Sequence, residues 1–236
     1  MTSPKRLARI AGLFYLIVAV FGMFAEMFVR SSVVKLGDAA TTADNIRESA
    51  TLFRVGFVSD LVQATFFLLT AMALYLLLKH VNKEVASAMV VFVAVSVAIM
   101  CLNLVNQFVA LSIATGREYT NAFGPKGSDA LTMLLVDIQH DGQLIAQIFF
   151  GLWLLPLGYL VFKSGYFPKV LGVLLIIGCF GYLVDTFARF LTPGVGASLS
   201  PFVLTPAAIG ELSFVAWLLV KGVNVQGRAE RAPAAA

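Results

Sequence analysis

Long apolar runs alternate with short polar segments along the whole chain. Crossing about 30 Å of hydrocarbon takes roughly 20 residues of α-helix, and six runs reach that length. A bilayer offers no water to satisfy open backbone groups, so these runs are predicted to be helices. The predicted spans are about Leu7–Val29, Leu52–Lys79, Val85–Ala114, Gln143–Phe162, Pro168–Leu191 and Pro201–Val220.

Two connecting segments show a helical pattern of their own. In TTADNIRESATLF, Thr42 is a potential N-cap, and Ile46, Ala50 and Phe53 share one face. A second amphipathic segment covers about Ala130–Asp141. The Gly- and Pro-containing segments TGREYTNAFGPKGSD and TPGVGASLSP are expected to be loops, and Pro156 is expected to kink the fourth span.

The composition places the protein in a membrane. Only 13% of its 236 residues are charged and 59% are hydrophobic, too few charges to cover the surface of a soluble domain. We therefore predict an all-α fold: a polytopic membrane helix bundle of six transmembrane helices, with short interfacial helices in the outer loops. Residues 1–222 form this single domain, and residues 223–236 are predicted to be a disordered cytoplasmic tail.

The basic residues indicate the orientation. Six spans put both termini on one side, and ten of the 17 Lys and Arg residues then lie on that side. Because basic residues concentrate in cytoplasmic loops, both termini are predicted to be cytoplasmic. The same placement explains the net charge of +4, so nucleic acid is not an expected partner.

This orientation places the polar residues of the spans in the outer half of the membrane. At 1.5 Å per residue, Asp60, Asp185 and Glu211 lie within roughly 10 Å of the mid-plane, where a charge facing lipid is costly. We therefore expect a polar cavity that opens outward. Its candidate ligand-binding residues are Glu26, Arg54, Asp60, Asn103, Asn106, Gln107, His140, Gln143, Asp185, Arg189 and Glu211.

A purely structural interpretation stays open for most of these residues. Glu26 and Arg30, like Asp185 and Arg189, are spaced i, i+4 and can close as ion pairs within one helix. The side chains Asn103, Asn106 and Gln107 can bond neighbouring helices. Glu211 differs because no base lies three or four residues away. Its partner is expected to come from another helix, with Arg54 and Arg189 as the candidates.

The excess of acids suits a cation, a metal ion or a shared proton. Zinc is disfavoured, since a single histidine at the outer side and no facing cysteine leave too few ligands. No metal site, cofactor or catalytic residue is therefore assigned. The chain contains no G-x-S-x-G, H-E-x-x-H, Walker or Rossmann pattern.

Several blocks resemble one family of bacterial membrane proteins, known as domain of unknown function 4386. They are RIAGLFYL (9–16), NIRESATLFRVGFVSDL (45–61), LYLLLKHVN (74–82), IFFGLWLLPLGYLVFKSGYFPKVLG (148–172), GYLVD (181–185) and GELSFVAWLLVKG (210–222). The resemblance covers nearly the whole chain and implies a six-helix protein of the bacterial inner membrane. It implies no activity and no catalytic residues.

The sequence is compatible with three functions. The first is a binding or transport role, in which the cavity holds a small polar molecule, an ion or a lipid headgroup. The second is an intramembrane enzyme that uses carboxylates, with or without a metal, and His140 as an acid or base. The third is a structural or accessory subunit. The expected partners are the lipid bilayer and such a ligand, and the sequence does not indicate an oligomeric state.

Overall fold

The computed structural model describes residues 3–224, and nearly all of them are helical. No strand occurs within this range. The helices are α1 (Pro4–Met23), a π-helical segment (Phe24–Arg30), α2 (Ser31–Val33), α3 (Ala39–Glu48), α4 (Ala50–Leu78), α5 (Lys83–Thr115), α6 (Arg117–Leu152), α7 (Leu154–Lys163), α8 (Lys169–Leu191) and α9 (Pro193–Val220). Most of the predicted tail, from residue 225 onward, lies outside the described residues.

Six helical segments are long and apolar enough to cross a membrane. Their bounds are Pro4–Val33, Ala50–Leu78, Lys83–Thr115, Arg117–Lys163, Lys169–Leu191 and Pro193–Val220. The predicted all-α fold class with six membrane-length helices is therefore confirmed.

Two segments predicted to be loops are mostly helical instead. The segment TGREYTNAFGPKGSD forms the beginning of α6, interrupted by a kink at Gly124, whose φ is 72°. This conformation favours glycine, and Pro125 then restarts the helix where its missing N–H is no loss. The segment TPGVGASLSP forms the first turns of α9, with Pro193 at the helix start. In both cases the proline marks a helix beginning, not a loop.

The break in the fourth span lies at Trp153, between α6 and α7. Pro156 explains its position, because a proline has no N–H to donate to the carbonyl four residues earlier and its ring crowds that carbonyl. Backbone hydrogen bonds still cross the break: Trp153 N donates to Phe149 O and Leu157 N donates to Trp153 O, both at 3.2 Å. The predicted kink is thus present, three residues before the proline.

The contacts divide the chain into two compact units. The first unit comprises Met1–Leu16, Phe66–Val97 and Ile145–Ala236, and the second comprises Ile17–Thr65 and Ala98–Leu144. In the first unit, the buried ring of Trp153 packs edge-on against Tyr15 and Phe67, with centroids 5.4 and 5.0 Å away. The helices α7 and α8 approach closely at Gly158 and Gly172.

In the second unit, α3 packs against a buried apolar cluster through Ile46. The N-cap of α3 is Asp38 and not the predicted Thr42, since the Asp38 carboxylate accepts a 3.0 Å hydrogen bond from Thr41 N. The Thr41 hydroxyl and amide lower the pKa of Asp38, because both donate to its ionised form. Asn45 Nδ2 donates to Val33 O at 3.0 Å and holds the helix in place.

Candidate ligand-binding site

Arg30 connects two carboxylates in the second unit. Its Nε lies 2.7 Å from Oε2 of Glu26. Its Nη1 lies 2.6 Å from Oδ2 of Asp60, and its Nη2 lies 3.4 Å from Oδ1. The sequence predicts the first of these ion pairs but not the second, which joins the first span to α4. Asp60 is buried, so this paired guanidinium stabilises a carboxylate that apolar surroundings would otherwise disfavour.

A π-helical segment carries both Glu26 and Arg30. Such segments are rare and occur frequently at functional sites. The nearby backbone of α4 comes close to this segment at Gly56, where an added Cβ would lie 2.7 Å from Cγ1 of Val29. A glycine at this position therefore lets α4 approach closely enough for Asp60 to reach Arg30.

A polar hollow of about 330 Å³ lies beside this ion pair. We call this space, which lies between residues 26–36 and residues 136–140 of α6, the polar hollow. Its polar lining consists of Glu26, Arg30, Ser31, Asp137, Gln139 and His140. Three apolar side chains, Val34, Leu36 and Val136, complete the wall. Charges of both signs and a hydrophobic wall thus face one open space.

Amide side chains lie next to the polar hollow. Asn103 Nδ2 donates to the backbone oxygen of Gln139 at 2.6 Å, and Asn106 Nδ2 donates to Asn103 Oδ1 at 3.1 Å. The first of these bonds joins α5 to α6, as the structural interpretation of the asparagines predicts, and the second lies within α5. Gln107 behaves differently. Both of its side-chain amide atoms are buried and have no hydrogen-bond partner within residues 3–224.

Gln107 lines a small cavity of about 10 Å³ together with Arg30 and Gln139. That volume suits about one water molecule. Arg30 and Gln139 also line the polar hollow, so the two spaces share part of their walls. Buried polar atoms without partners are uncommon in native proteins and need an explanation such as a water or a ligand.

Glu211 has two tyrosine partners in the first unit. Tyr15 donates its hydroxyl to Oε2 of Glu211, and Tyr182 donates its hydroxyl to Oε1 at 2.9 Å. The expectation that Arg54 or Arg189 pairs with Glu211 is therefore wrong. The tyrosines satisfy both carboxylate oxygens from helices α1 and α8 without bringing a second charge into the apolar interior.

Asp185 forms a second closed network in the first unit. Gln147 Nε2 donates to its Oδ2 at 2.7 Å, and Arg189 Nε lies 3.3 Å from its Oδ1. Ser200 of α9 also donates to Asp185 and accepts from Arg189 Nε at 2.9 Å. Both carboxylate oxygens of Asp185 accept hydrogen bonds from neighbouring helices, which is the pattern of a structural lock between α6, α8 and α9.

Arg54 and Gln143 do not join any of these clusters. Arg54 is exposed and forms no ion pair within the described residues. It lines an apolar hollow of about 220 Å³ together with Phe53, Phe57 and Gln107. Gln143 is half-buried on α6, and its side chain forms no hydrogen bond within residues 3–224.

The sequence analysis did not select Tyr15, Tyr182, Gln139 or Ser200 for the site. A tyrosine in an apolar span has the pattern of a core aromatic, and only the contact with Glu211 gives it a polar role. Gln139 offers a weak signal, because it lies between Asp137 and His140 in an amphipathic segment. No group of three or more His, Cys, Asp and Glu side chains in the described chain is arranged to hold a metal ion.

The helices and their buried polar contacts define an all-α, multi-pass membrane protein. The chain belongs to the family described as Domain of unknown function (DUF4386), whose model matches residues 10–222. An uncharacterised protein of Archaeoglobus fulgidus is 32% identical over 152 residues, which is 64% of this chain and 74% of that protein. No solved structure matches the chain. The family resemblance predicted from the sequence is confirmed.

Proposed function

We propose that this protein binds a small polar molecule in the polar hollow, in a binding or transport role. We further propose that it resides in the bacterial inner (plasma) membrane with both termini cytoplasmic, so that the polar hollow opens to the outer side. The excess of basic residues on the terminal side supports this orientation. The lipid bilayer is then the second partner of the chain.

One observation carries the proposal: charged side chains of both signs line an open space of ligand size. Pockets for small molecules measure roughly 300–1,000 Å³ and combine apolar walls with a few polar groups. The polar hollow has about 330 Å³ and both kinds of lining. Arg30 is held in place by Glu26 and Asp60, which fixes that wall before any ligand arrives.

The other polar clusters support a structural role instead. The Asp185 network is closed by Gln147, Arg189 and Ser200, and Glu211 is closed by its two tyrosines. We therefore restrict the proposed site to the polar hollow. The remaining candidate residues of the first unit are proposed to hold helices together.

An enzymatic role is the second candidate, and one observation favours it. His140, Glu26 and Asp137 line the same hollow. A histidine and carboxylates facing a bound molecule are suited to general acid–base chemistry. This function also requires ligand binding, so the test below applies to both candidates.

Thermal unfolding of the detergent-purified protein tests the proposal. The small-molecule fraction of the host cells is added to the parent and to two variants, Asp137→Asn and Asp141→Asn. Both aspartates are exposed on α6, but only Asp137 lines the polar hollow. We expect the melting temperature to rise for the parent and for Asp141→Asn, and to rise less for Asp137→Asn. Equal responses of all three proteins would exclude the polar hollow as the site.

A further inference from the structure

We propose that the ligand of the polar hollow is a small organic cation with an amine head group. The inference rests on the proposed function and narrows it to one class of ligand. It assigns the ammonium group to the carboxylate of Asp137 and the neighbouring amide of Gln139, and the hydrocarbon part to the apolar wall.

The charge around the polar hollow favours a cation over an anion. Arg30 is the one base in the ion-pair cluster, and it is already paired with Glu26 and Asp60. Asp137 adds a third carboxylate and forms no ion pair within residues 3–224. Leaving His140 out of the count, two carboxylates and one guanidinium line the polar hollow, and Asp60 pairs with that guanidinium. The carboxylates thus outnumber the bases, so a cation is attracted and an anion is repelled.

The guanidinium of Arg30 has little left to offer an anion. Arg carries five N–H donors in a planar fork. The Nε donor is used by Glu26, and one donor on each terminal nitrogen is directed at Asp60. Two N–H donors remain, and an anionic ligand that used them would lie beside the carboxylates of Glu26 and Asp60, which repel it.

Two buried amides provide an independent sign of a ligand. Gln139 is 5% exposed and lines the polar hollow, and Gln107 is 3% exposed and lines the small cavity beside it. The side-chain amide atoms of Gln107 are buried and have no hydrogen-bond partner within residues 3–224, and Gln139 accepts from Asn103 through its backbone oxygen, not through its side chain. Each has a carbonyl oxygen that accepts hydrogen bonds, as an ammonium group requires. We place the amine on Gln139, with a water molecule bridging to Gln107.

An organic cation fits better than a metal ion. Hard metal ions require several oxygen ligands at short distance. No group of three or more His, Cys, Asp and Glu side chains in the described residues is arranged that way. The wall formed by Val34, Leu36 and Val136 instead suits a short hydrocarbon chain attached to the amine. Such an amine is either a free metabolite or the head group of a phospholipid.

Three probes of equal chain length test the head-group charge: butylamine, butanol and butyrate. Binding is measured by isothermal titration calorimetry on the delipidated, detergent-purified protein. We expect butylamine to bind more tightly than butanol and butyrate. Asp137→Asn is expected to weaken butylamine binding about fivefold, the effect of losing one partly exposed ion pair. Asp141→Asn is the matched control and is expected to bind like the parent.

Native mass spectrometry of protein extracted with its lipids separates the two sources of the amine. Retained phosphatidylethanolamine that is lost in Asp137→Asn would identify a lipid head group, whereas butylamine binding without such a lipid would identify a free amine. Both results support the inference. Tighter binding of butyrate or butanol than of butylamine would overturn it while leaving the proposed function intact. No probe binding and no retained molecule that depends on Asp137 would overturn both.

Discussion

The guanidinium of Arg30 in the second unit pairs with two carboxylates, and one of them, Asp60, is buried. The side chain of Arg30 is 16% exposed and that of Asp60 is 7% exposed, so the pair with Asp60 is largely removed from water. Arg54, six residues before Asp60, is exposed and forms no ion pair within residues 3–224. The two arginines are therefore predicted to differ sharply on replacement.

Arg30→Leu is expected to lower the free energy of unfolding by about 3 kcal/mol, because it leaves Asp60 buried without its partner. Arg54→Leu is the control and is expected to change stability little, since no buried acid depends on it. Thermal and denaturant unfolding in detergent measures both. An equal loss in the two variants would mean that Arg54 also holds a buried charge.

Glu211 is predicted to tolerate loss of its charge but not loss of its hydrogen bonds. In Glu211→Gln, the amide oxygen still accepts from one tyrosine, and the amide nitrogen can donate to the hydroxyl oxygen of the other. In Glu211→Leu, the hydroxyls of Tyr15 and Tyr182 lose their acceptor, at about 1–3 kcal/mol for each buried group. We expect the Gln variant to melt near the parent and the Leu variant to melt well below it.

The comparison of these two variants shows whether the negative charge of Glu211 or its hydrogen bonds stabilise the protein. If Glu211→Gln were as unstable as Glu211→Leu, the negative charge itself would be essential, and two neutral tyrosines would not account for it. Tyr15→Phe provides a further check, because it removes one donor while keeping the ring that packs against Trp153.

At the scale of the helices, the approach of α7 to α8 depends on two glycines. A Cβ at Gly158 would lie 2.6 Å from the backbone oxygen of Gly172. Gly158→Ala is therefore expected to force the helices apart and to cost about 1–3 kcal/mol of stability. Gly194→Ala is the matched control, since nothing lies within 4 Å of its added Cβ. Comparison of the melting temperatures checks this, and equal values would show that α8 can shift at no cost.

The apolar runs predict the spanning helices well because their length and hydrophobicity leave few alternatives in a bilayer. The six spans were expected on this ground, and their middle portions agree with α1, α4, α5, α6–α7, α8 and α9. The helix ends were less predictable. Gly124, Pro125 and Pro193 indicate loops by composition, yet each lies where a helix kinks or begins.

The sequence does not predict the π-helical segment or the polar partners of Asp60 and Glu211. FAEMFVR contains no proline or glycine that would signal a change of helix type. Arg30 lies 30 residues from Asp60, and the two tyrosine partners of Glu211 lie 196 and 29 residues from it, so only the packing of the helices selects these partners. Helical spacing identifies neighbours within one helix, such as Glu26 and Arg30, and nothing farther.

The whole molecule is predicted to have its polar hollow on the outer side of the membrane. Single cysteines at Lys126 and Gly194, in a background free of Cys101 and Cys179, should react with an impermeant thiol reagent in intact cells. A cysteine at Lys169 should react only after the membrane is opened. All three sites are exposed in the structure, so a difference in labelling reports the side of the membrane. The reverse pattern would place the polar hollow on the cytoplasmic side.

The central claim is that the polar hollow holds a ligand, and native mass spectrometry of the protein freshly extracted from membranes tests it most directly. The parent and Asp141→Asn are predicted to retain the same small molecule or lipid, and Asp137→Asn is predicted to retain much less of it. Equal retention by all three proteins would contradict the claim, as would the absence of a retained molecule in a parent protein that also binds none of the added probes.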